Sequence, residues 1–346
     1  MASTLATARA EGRFLKMGMI VVTGGAGFIG SNLVAGLERR GGADLAVCDR
    51  LGHGDKWRNI AKRELADIVA PDRLFDFLGA HSREVETIFH LGAISSTTET
   101  DVDLIVHENF RLSSALWAWT TRHGKRYIYA SSAATYGDGA AGFDDDASAA
   151  GLAKLRPLNP YGWSKHAFDR RVARLVKSEA PAPTQHVGLK FFNVYGPNEY
   201  HKGGQRSVAH QLYPRALVGE PARLFKSHNP AYPDGGQKRD FVWVGDCVSV
   251  MLWLLDHPAV NGLFNLGTGK ARSFADLAKA VFTAAGKPAR IEFIDTPFEI
   301  RDKYQYFTEA KMERLRAAGY EQPMTSLEDG IRHYVQDHLA TADPYV

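Results

Sequence analysis

Tyr161 and Lys165 stand four residues apart in Tyr161-Gly162-Trp163-Ser164-Lys165, after Pro157 and Pro160, at the start of a helical pattern running to about Val176. Residues i and i+4 share a helix face, so this spacing points both side chains into one cleft. A free phenol has a pKa of about 10 and is a poor base at neutral pH. A neighbouring ammonium favours the phenolate and pulls that value down, so Tyr161 becomes able to take a proton from an alcohol. Ser131-Ser132-Ala133-Ala134-Thr135-Tyr136-Gly137 follows an apolar run ending at Ala130. Ser132 is the candidate third member, hydrogen-bonding a substrate hydroxyl and a developing carbonyl; its plainer reading is a turn-capping or helix-capping serine. Asp144-Asp145-Asp146 reads as a solvated acidic loop without chemistry.

A second cluster lies upstream. Gly24, Gly27 and Gly30 form G-x-x-G-x-x-G between the apolar run Met19–Thr23 and a helical pattern from Ile29 to about Arg40. Glycines here allow a tight turn and close approach of backbone to a pyrophosphate, which the helix N-terminus then receives. Asp49, at the end of the next apolar run, suits the ribose hydroxyls of NAD, whereas Arg50 and Lys56 suit the 2′-phosphate of NADP. The residues alone leave NAD and NADP both open. Asp67 is a candidate for the adenine amino group. A dinucleotide in the cleft would place an oxidised nicotinamide beside Tyr161, a second charge favouring the phenolate, and its ribose beside Lys165.

Apolar runs at 19–23, 45–49, 87–91 and 126–130 alternate with helical stretches such as 111–122. That alternation implies right-handed crossovers and a Rossmann-like doubly wound parallel sheet of the α/β class. After about residue 196 the texture changes, with frequent Pro, Gly, His and Asn. Residues 1–16 read as a disordered leader, 17–196 mainly as the dinucleotide-binding domain, and 197–346 mainly as a smaller α/β substrate-binding lobe interleaved with it. Ser227 to Gln237 reads as an ordered loop or flap. Strand-like and helical pieces resume at Phe241 and around Phe264, Ile291 and Tyr306.

The formal net charge is only +3 over 346 residues, and Lys and Arg are scattered, which argues against a nucleic-acid partner. Cys48 and Cys247 lack ligand-spaced companions, so neither a zinc site nor a disulfide scaffold is expected, and a reducing compartment is the default. No run of 18 apolar residues exists to cross a membrane.

Together the glycine fingerprint, SSAATYG and YGWSK resemble the extended short-chain dehydrogenase/reductases, over nearly the whole chain from Met17. The stretches His90–Glu99 (HLGAISSTTE), Phe191–Gly203 (FFNVYGPNEYHKG), Lys238–Val242, Phe264–Gly269 and Tyr304–Thr308 narrow the likeness to the ADP-L-glycero-D-manno-heptose 6-epimerases. The resemblance implies transient oxidation at C6 of an ADP-heptose with tightly held NADP, for the lipopolysaccharide inner core, in a cytoplasmic homo-oligomer, often a pentamer. It assigns Tyr161 as one acid/base and Lys202 as the second base, for the opposite face. It places Asn193, His210, Arg239 and Tyr304 at substrate positions, and Phe28, Ile29, Asp49, Lys56, Asn109, Lys165 and Val194 at cofactor positions. Leu91, Gly92, Ala93 and Ser95 join the cofactor candidates, and His201 and Phe225 the substrate candidates. Departures from the pattern fall at Arg50, Leu91, Glu108, Gly204 and the long 227–237 loop. Two other readings compete: a UDP-hexose 4-epimerase, and a non-catalytic dinucleotide-binding regulator, which intact Ser132, Tyr161 and Lys165 disfavour. A dehydratase is disfavoured too, since Ala133 and Ala134 follow Ser132 with no acid to eliminate water.

Overall fold

The computed structural model describes residues 18–301 and 305–346. The leader and Tyr304 lie outside the described residues.

Except at the edge strand holding Asp67 and Ile68, both exposed, the short apolar runs form strands because both faces are covered, the situation in which a parallel strand carries unbroken hydrophobic sequence. These are β1 (Met19–Thr23), β2 (Leu45–Cys48), β3 (Asp67–Val69), β4 (Val85–His90), β5 (Arg126–Ser132) and β6 (Gln185–Phe191). Short strands follow: β7 (Asn193–Tyr195), β8 (Ala222–Phe225), β9 (Lys238–Arg239) and β10 (Phe241–Trp243). β11 (Gly262–Leu266), β12 (Arg272–Ser273) and β13 (Ile291–Ile294) complete the set. The main sheet is parallel throughout, in the order β11-β6-β5-β4-β1-β2-β3. The order reverses direction between β1 and β4, the crevice in which doubly wound sheets bind ligands.

Three helices border that crevice. α1 (Phe28–Arg40) has no acid in its first turn, and Arg39 and Arg40 in its last turn complement the helix dipole. Its start lies so close to the preceding turn that a Cβ on Gly30 would sit 2.1 Å from the Gly24 carbonyl oxygen. α2 (Leu112–Arg122) is preceded by a π-helical turn at Val106–Arg111. α3 (Pro160–Lys177) begins with proline at its first position, and the Asn159 side chain accepts from the Gly162 N–H at 2.8 Å. Gly162 lets α3 lie against the turn after β5: a Cβ there would come 2.6 Å from the Ala134 carbonyl oxygen.

Beyond β6 a smaller body forms around α4 (Val208–Leu217), α6 (Phe274–Ala284) and α7 (Leu327–His333), with its own apolar cluster including Leu212, Phe241, Leu277, Phe282 and Ile331. The chain returns to the main sheet in between. β11 pairs with β6, and α5 (Val244–Asp256) packs on α1, where Val248 occupies the space a Gly36 side chain would need. The 227–237 loop carries no regular element but is held internally, Ser227 N–H donating to Asp234 at 2.7 Å.

Two expectations change. Tyr306 is in no strand or helix, although its carbonyl accepts from the Lys238 N–H at 2.9 Å beside β9. The acidic triplet lies in a loop, with Asp144 exposed and Asp146 partly so, but its middle member is not solvated. Asp145 is 1% exposed and accepts from the Asn265 N–H at 2.8 Å, because β11 returns to cover it.

The Gly162 contact yields a test. Gly162→Ala is expected to cost about 1–3 kcal/mol, the range for overpacking, since backbone on both sides cannot give way. Urea denaturation should show the lowered midpoint, with activity falling alongside as α3 lifts from β5.

Candidate active site

A cavity of about 650 Å³ opens over the carboxyl ends of β1, β4, β5 and β6. Gly24, Gly27, Phe28, Ile29 and Gly30 line it from the β1–α1 turn. The first turn of α1 has no capping side chain and no acid, so its end is left to an anion. A turn packed so tightly that a Cβ on Gly24 or Gly30 would strike neighbouring backbone, at the tip of a helix dipole, fits the pyrophosphate of a dinucleotide. Leu91, Gly92, Ala93 and Ser95 line the cavity beyond β4, and Val194 lines it beyond β6.

At the far end of β2, Asp49 and Lys56 both line the cavity. Asp49 accepts from the Ala26 N–H at 3.0 Å and forms an ion pair with Lys56 at 2.6 Å. Arg50 stands outside the cavity wall, its exposed guanidinium 2.9 Å from Glu108. Asp67 is not brought to the cavity. It opens β3 opposite Ala46, two residues short of the sheet's edge, and its carboxylate accepts from the N–H of Ile68.

Asn109 is likewise not a wall residue. Fully buried in the π-helical turn, it accepts from the Ile94 N–H at 2.8 Å and donates to the Ile94 carbonyl and to Ser164 Oγ, each at 3.0 Å. Ser164 Oγ donates in turn to the Tyr161 carbonyl at 2.7 Å. Asn109 therefore ties the loop after β4 to the first turn of α3.

Ser132, Tyr161 and Lys165 converge on the cavity, and Tyr161 and Ser132 are hydrogen-bonded. The Ser132 Oγ also accepts from the Ala134 N–H at 3.1 Å, the capping role foreseen for it. The electrostatics of Tyr161 differ from the expectation. Burial pushes its phenol above the ordinary value, and the hydrogen bond to Ser132 only partly opposes this. Burial also lowers Lys165 to about 8, with Asp169 working in the other direction. Among the protein's own groups, desolvation outweighs the ammonium.

Lys202 reaches the same cavity from the smaller body. Its ammonium lies 5.4 Å from the centre of the Phe28 ring, and burial lowers its pKa while Glu199 resists. The loop that carries it is tightly tethered. Asn59 donates to the carbonyls of Ala26 and Asn198 at 2.9 and 3.0 Å, and Asn32 to that of Pro197 at 2.9 Å. The Glu199 carboxylate accepts from both the N–H and the hydroxyl of Ser207 and from Tyr334. Asn193 and His201 line the cavity too, and burial lowers His201 to about 4, so its ring is neutral.

Three substrate candidates lie behind the wall. His210 packs against Tyr200, the rings tilted at 46° with centres 5.5 Å apart, and is neutral, lowered to about 4 by burial. Arg239 lies over the Phe274 ring at 5.7 Å, and Phe274 is the wall residue. Phe225 sits in β8 against Ile294 of β13. Sequence reasoning missed Gln205, Arg206, Ser207 and Phe274, which line the cavity from the smaller body. No spacing rule marks them, although the E-x-H-K-G stretch ends just before the first three.

The model of the NAD dependent epimerase/dehydratase family matches residues 20–267, the span holding the β1–α1 turn, Tyr161, Lys165 and Lys202. The chain belongs to that family. It is 49% identical over 332 residues to an ADP-L-glycero-D-manno-heptose-6-epimerase of Nitratidesulfovibrio vulgaris, covering 95% of this chain and all of that one. Among solved structures, the ADP-L-glycero-D-manno-heptose-6-epimerase of Helicobacter pylori superposes with a TM-score of 0.76 at 28% identity, covering 93% of this chain and 96% of that one. A UDP-glucose 4-epimerase of Thermus thermophilus in complex with NAD superposes with a TM-score of 0.71 at 26% identity, covering 94% of this chain and 99% of that one. The cleft of this family member is thus a nicotinamide dinucleotide site, and the residues around the β1–α1 turn fit that group.

Asn109→Ala would leave Ile94 and Ser164 with unmatched buried groups. The expected loss is about 2–4 kcal/mol of stability, read by urea denaturation, together with less dinucleotide retained through purification.

Proposed function

We propose that the chain interconverts ADP-D-glycero- and ADP-L-glycero-D-manno-heptose, for the lipopolysaccharide inner core. The observation that carries this reading is that Lys202 enters the cavity already holding Ser132, Tyr161 and Lys165, but from a separate body. The near-complete match to a relative of that name supports it.

A bound nicotinamide dinucleotide supplies reversible hydride acceptance at a carbinol carbon. The protein's part is proton transfer and orientation. Tyr161 exchanges the hydroxyl proton on one face, with Ser132 holding the same oxygen and Lys165 supplying positive charge beneath the phenol. A phenol raised by burial ionises only when further positive charge arrives, so Tyr161 is poised to act when the cleft is loaded. Lys202, its pKa lowered by burial, holds more of its neutral form at neutral pH than a free lysine, as a base for the other face requires. The tethers through Asn59, Asn198 and Glu199 keep that amine from swinging into solvent.

NADP is the proposed cofactor over NAD. Lys56 neutralises Asp49, the group that would repel a 2′-phosphate, and Arg50 is held only by an exposed ion pair, which costs little to exchange. The remaining elements of the reading, a cytoplasmic setting and a homo-oligomer, rest on the likeness to the relatives.

Purified protein should interconvert the two ADP-heptoses without added NADPH and without lasting change in reduced-nicotinamide absorbance. Preference for UDP-glucose would instead establish the 4-epimerase reading. Tyr161→Phe and Lys202→Met should each slow epimerisation by roughly 10²-fold or more while still binding the nucleotide-sugar. Near-normal epimerisation by Lys202→Met would return Lys202 to a loop residue. Nucleotide extracted from the protein should be mostly NADP, and Arg50→Ala should shift the balance toward NAD.

A further inference from the structure

Tyr161, Lys165 and Asp169 occupy successive turns of one face of α3. Asp169 touches nothing in the cavity. It is 2% exposed, accepts from Ser131 Oγ at 2.6 Å and from the Tyr129 hydroxyl at 3.2 Å. It thereby grips the end of β5, one residue before Ser132. Lys190 of β6, fully buried, stands opposite Ser131 in the β5–β6 register. The Lys190 ammonium donates to Thr135 Oγ1 at 3.0 Å and lies 4.2 Å from the centre of the Tyr136 ring. The network continues through the Tyr136 hydroxyl to Asn265 at 2.6 Å and from the Asn265 N–H to Asp145 at 2.8 Å. Arg314 stands 3.6 Å from Asp145 at the outer end.

Two buried ammoniums cannot stay charged without buried anions. We propose that Asp169 is a positioning residue for the acid/base pair, its carboxylate shared between Lys165 and Lys190 so that Lys165 stays charged beneath Tyr161 while β5 is held against α3. This rests on the reading of Tyr161 and Lys165 as that pair. One other carboxylate, Asp145, acts on Lys190 and opposes its desolvation. The histidines that feel these charges are neutral: His90 of β4 is lowered to about 3 by burial and by Lys165, and His166 to about 4 by burial and by Lys190. Tyr129 and Tyr136 are raised by burial and by Asp169, so both remain phenols. Asp169 is thus the anion opposing the desolvation of Lys165, and Lys190 competes for it.

The signs follow. Removing the Asp169 charge lets Lys165 fall below about 8. Removing Lys190 leaves Asp169 wholly to Lys165, which then rises. The test is the pH dependence of Lys165 acetylation by trace acetic anhydride in the full-length protein as purified, read by peptide mass spectrometry. It needs no epimerase activity, so it fails separately from the functional proposal. Asp169→Asn, which keeps the side-chain shape, should move the Lys165 titration to lower pH by about one unit or more. Lys190→Met should move it to higher pH. In active protein the alkaline limb of kcat against pH should follow the same two directions. A merely structural Asp169 would lower stability in both variants without opposite shifts. Lys165 titrations unmoved, or moved the same way in both variants, overturn the proposal. If Asp169→Asn does not fold, an unmoved or lowered Lys165 in Lys190→Met overturns it alone, and a raised one upholds it.

Discussion

A phenol can exchange protons with a bound alcohol only while it is held against the group that holds the same oxygen. In this chain that constraint is the seating of α3 on the end of β5. Gly162 brings the helix within a Cβ's width of the Ala134 carbonyl, and Tyr161 meets Ser132 there. Asn109 braces the same helix turn from the β4 side through Ser164. The glycine-rich turn, the parallel sheet and the switch between β1 and β4 all serve to place a ligand over this one contact.

The proposed second base obeys a different logic. Lys202 sits in a short 3-10 turn, Tyr200–Gln205, between larger elements, and such a connection holds a side chain precisely only when its backbone groups are fixed. Asn198, at a φ of 70°, turns the chain, and its amide donates to Ser31 Oγ at 2.9 Å on α1. Glu199 turns its buried carboxylate back onto Ser207 and Tyr334. The loop is thereby bound both to the dinucleotide half and to the smaller body. Buried carboxylates with satisfied hydrogen bonds recur as the fixing device at Glu199, Asp169, Asp145 and Asp240, the last holding Thr268 and Gly269.

What the sequence made legible was local. The glycine turn, the β5 terminus and the Tyr161–Lys165 pair each depend on neighbours within a few residues, and periodicity places them. Spacing says less where register or distant partners decide. Asp67, read as an adenine ligand, opens β3 two residues before its carboxyl end, and Asn109, read as a cofactor contact, also braces the loop after β4 against α3. Asp145 looked solvated because two acids flank it, yet its partner Asn265 arrives from 120 residues away. Asn59 and Asn198, which fix the Lys202 segment to α1, are 139 residues apart, and although Asn198 lies within the Phe191–Gly203 stretch nothing there marks Asn59 as its partner.

The central claim is that two proton-transfer groups from separate bodies address opposite faces of one carbon. A crystal structure of the full-length protein with bound dinucleotide and a C6-deoxygenated ADP-heptose would test it most directly. The account predicts C6 lying between Tyr161 and Lys202, with the phenol oxygen on one face and the amine on the other, each within direct or single-water reach of about 3 Å per hydrogen bond. Lys202 remaining over Phe28 with its amine turned from the sugar, or lying on the same face as Tyr161, would contradict it.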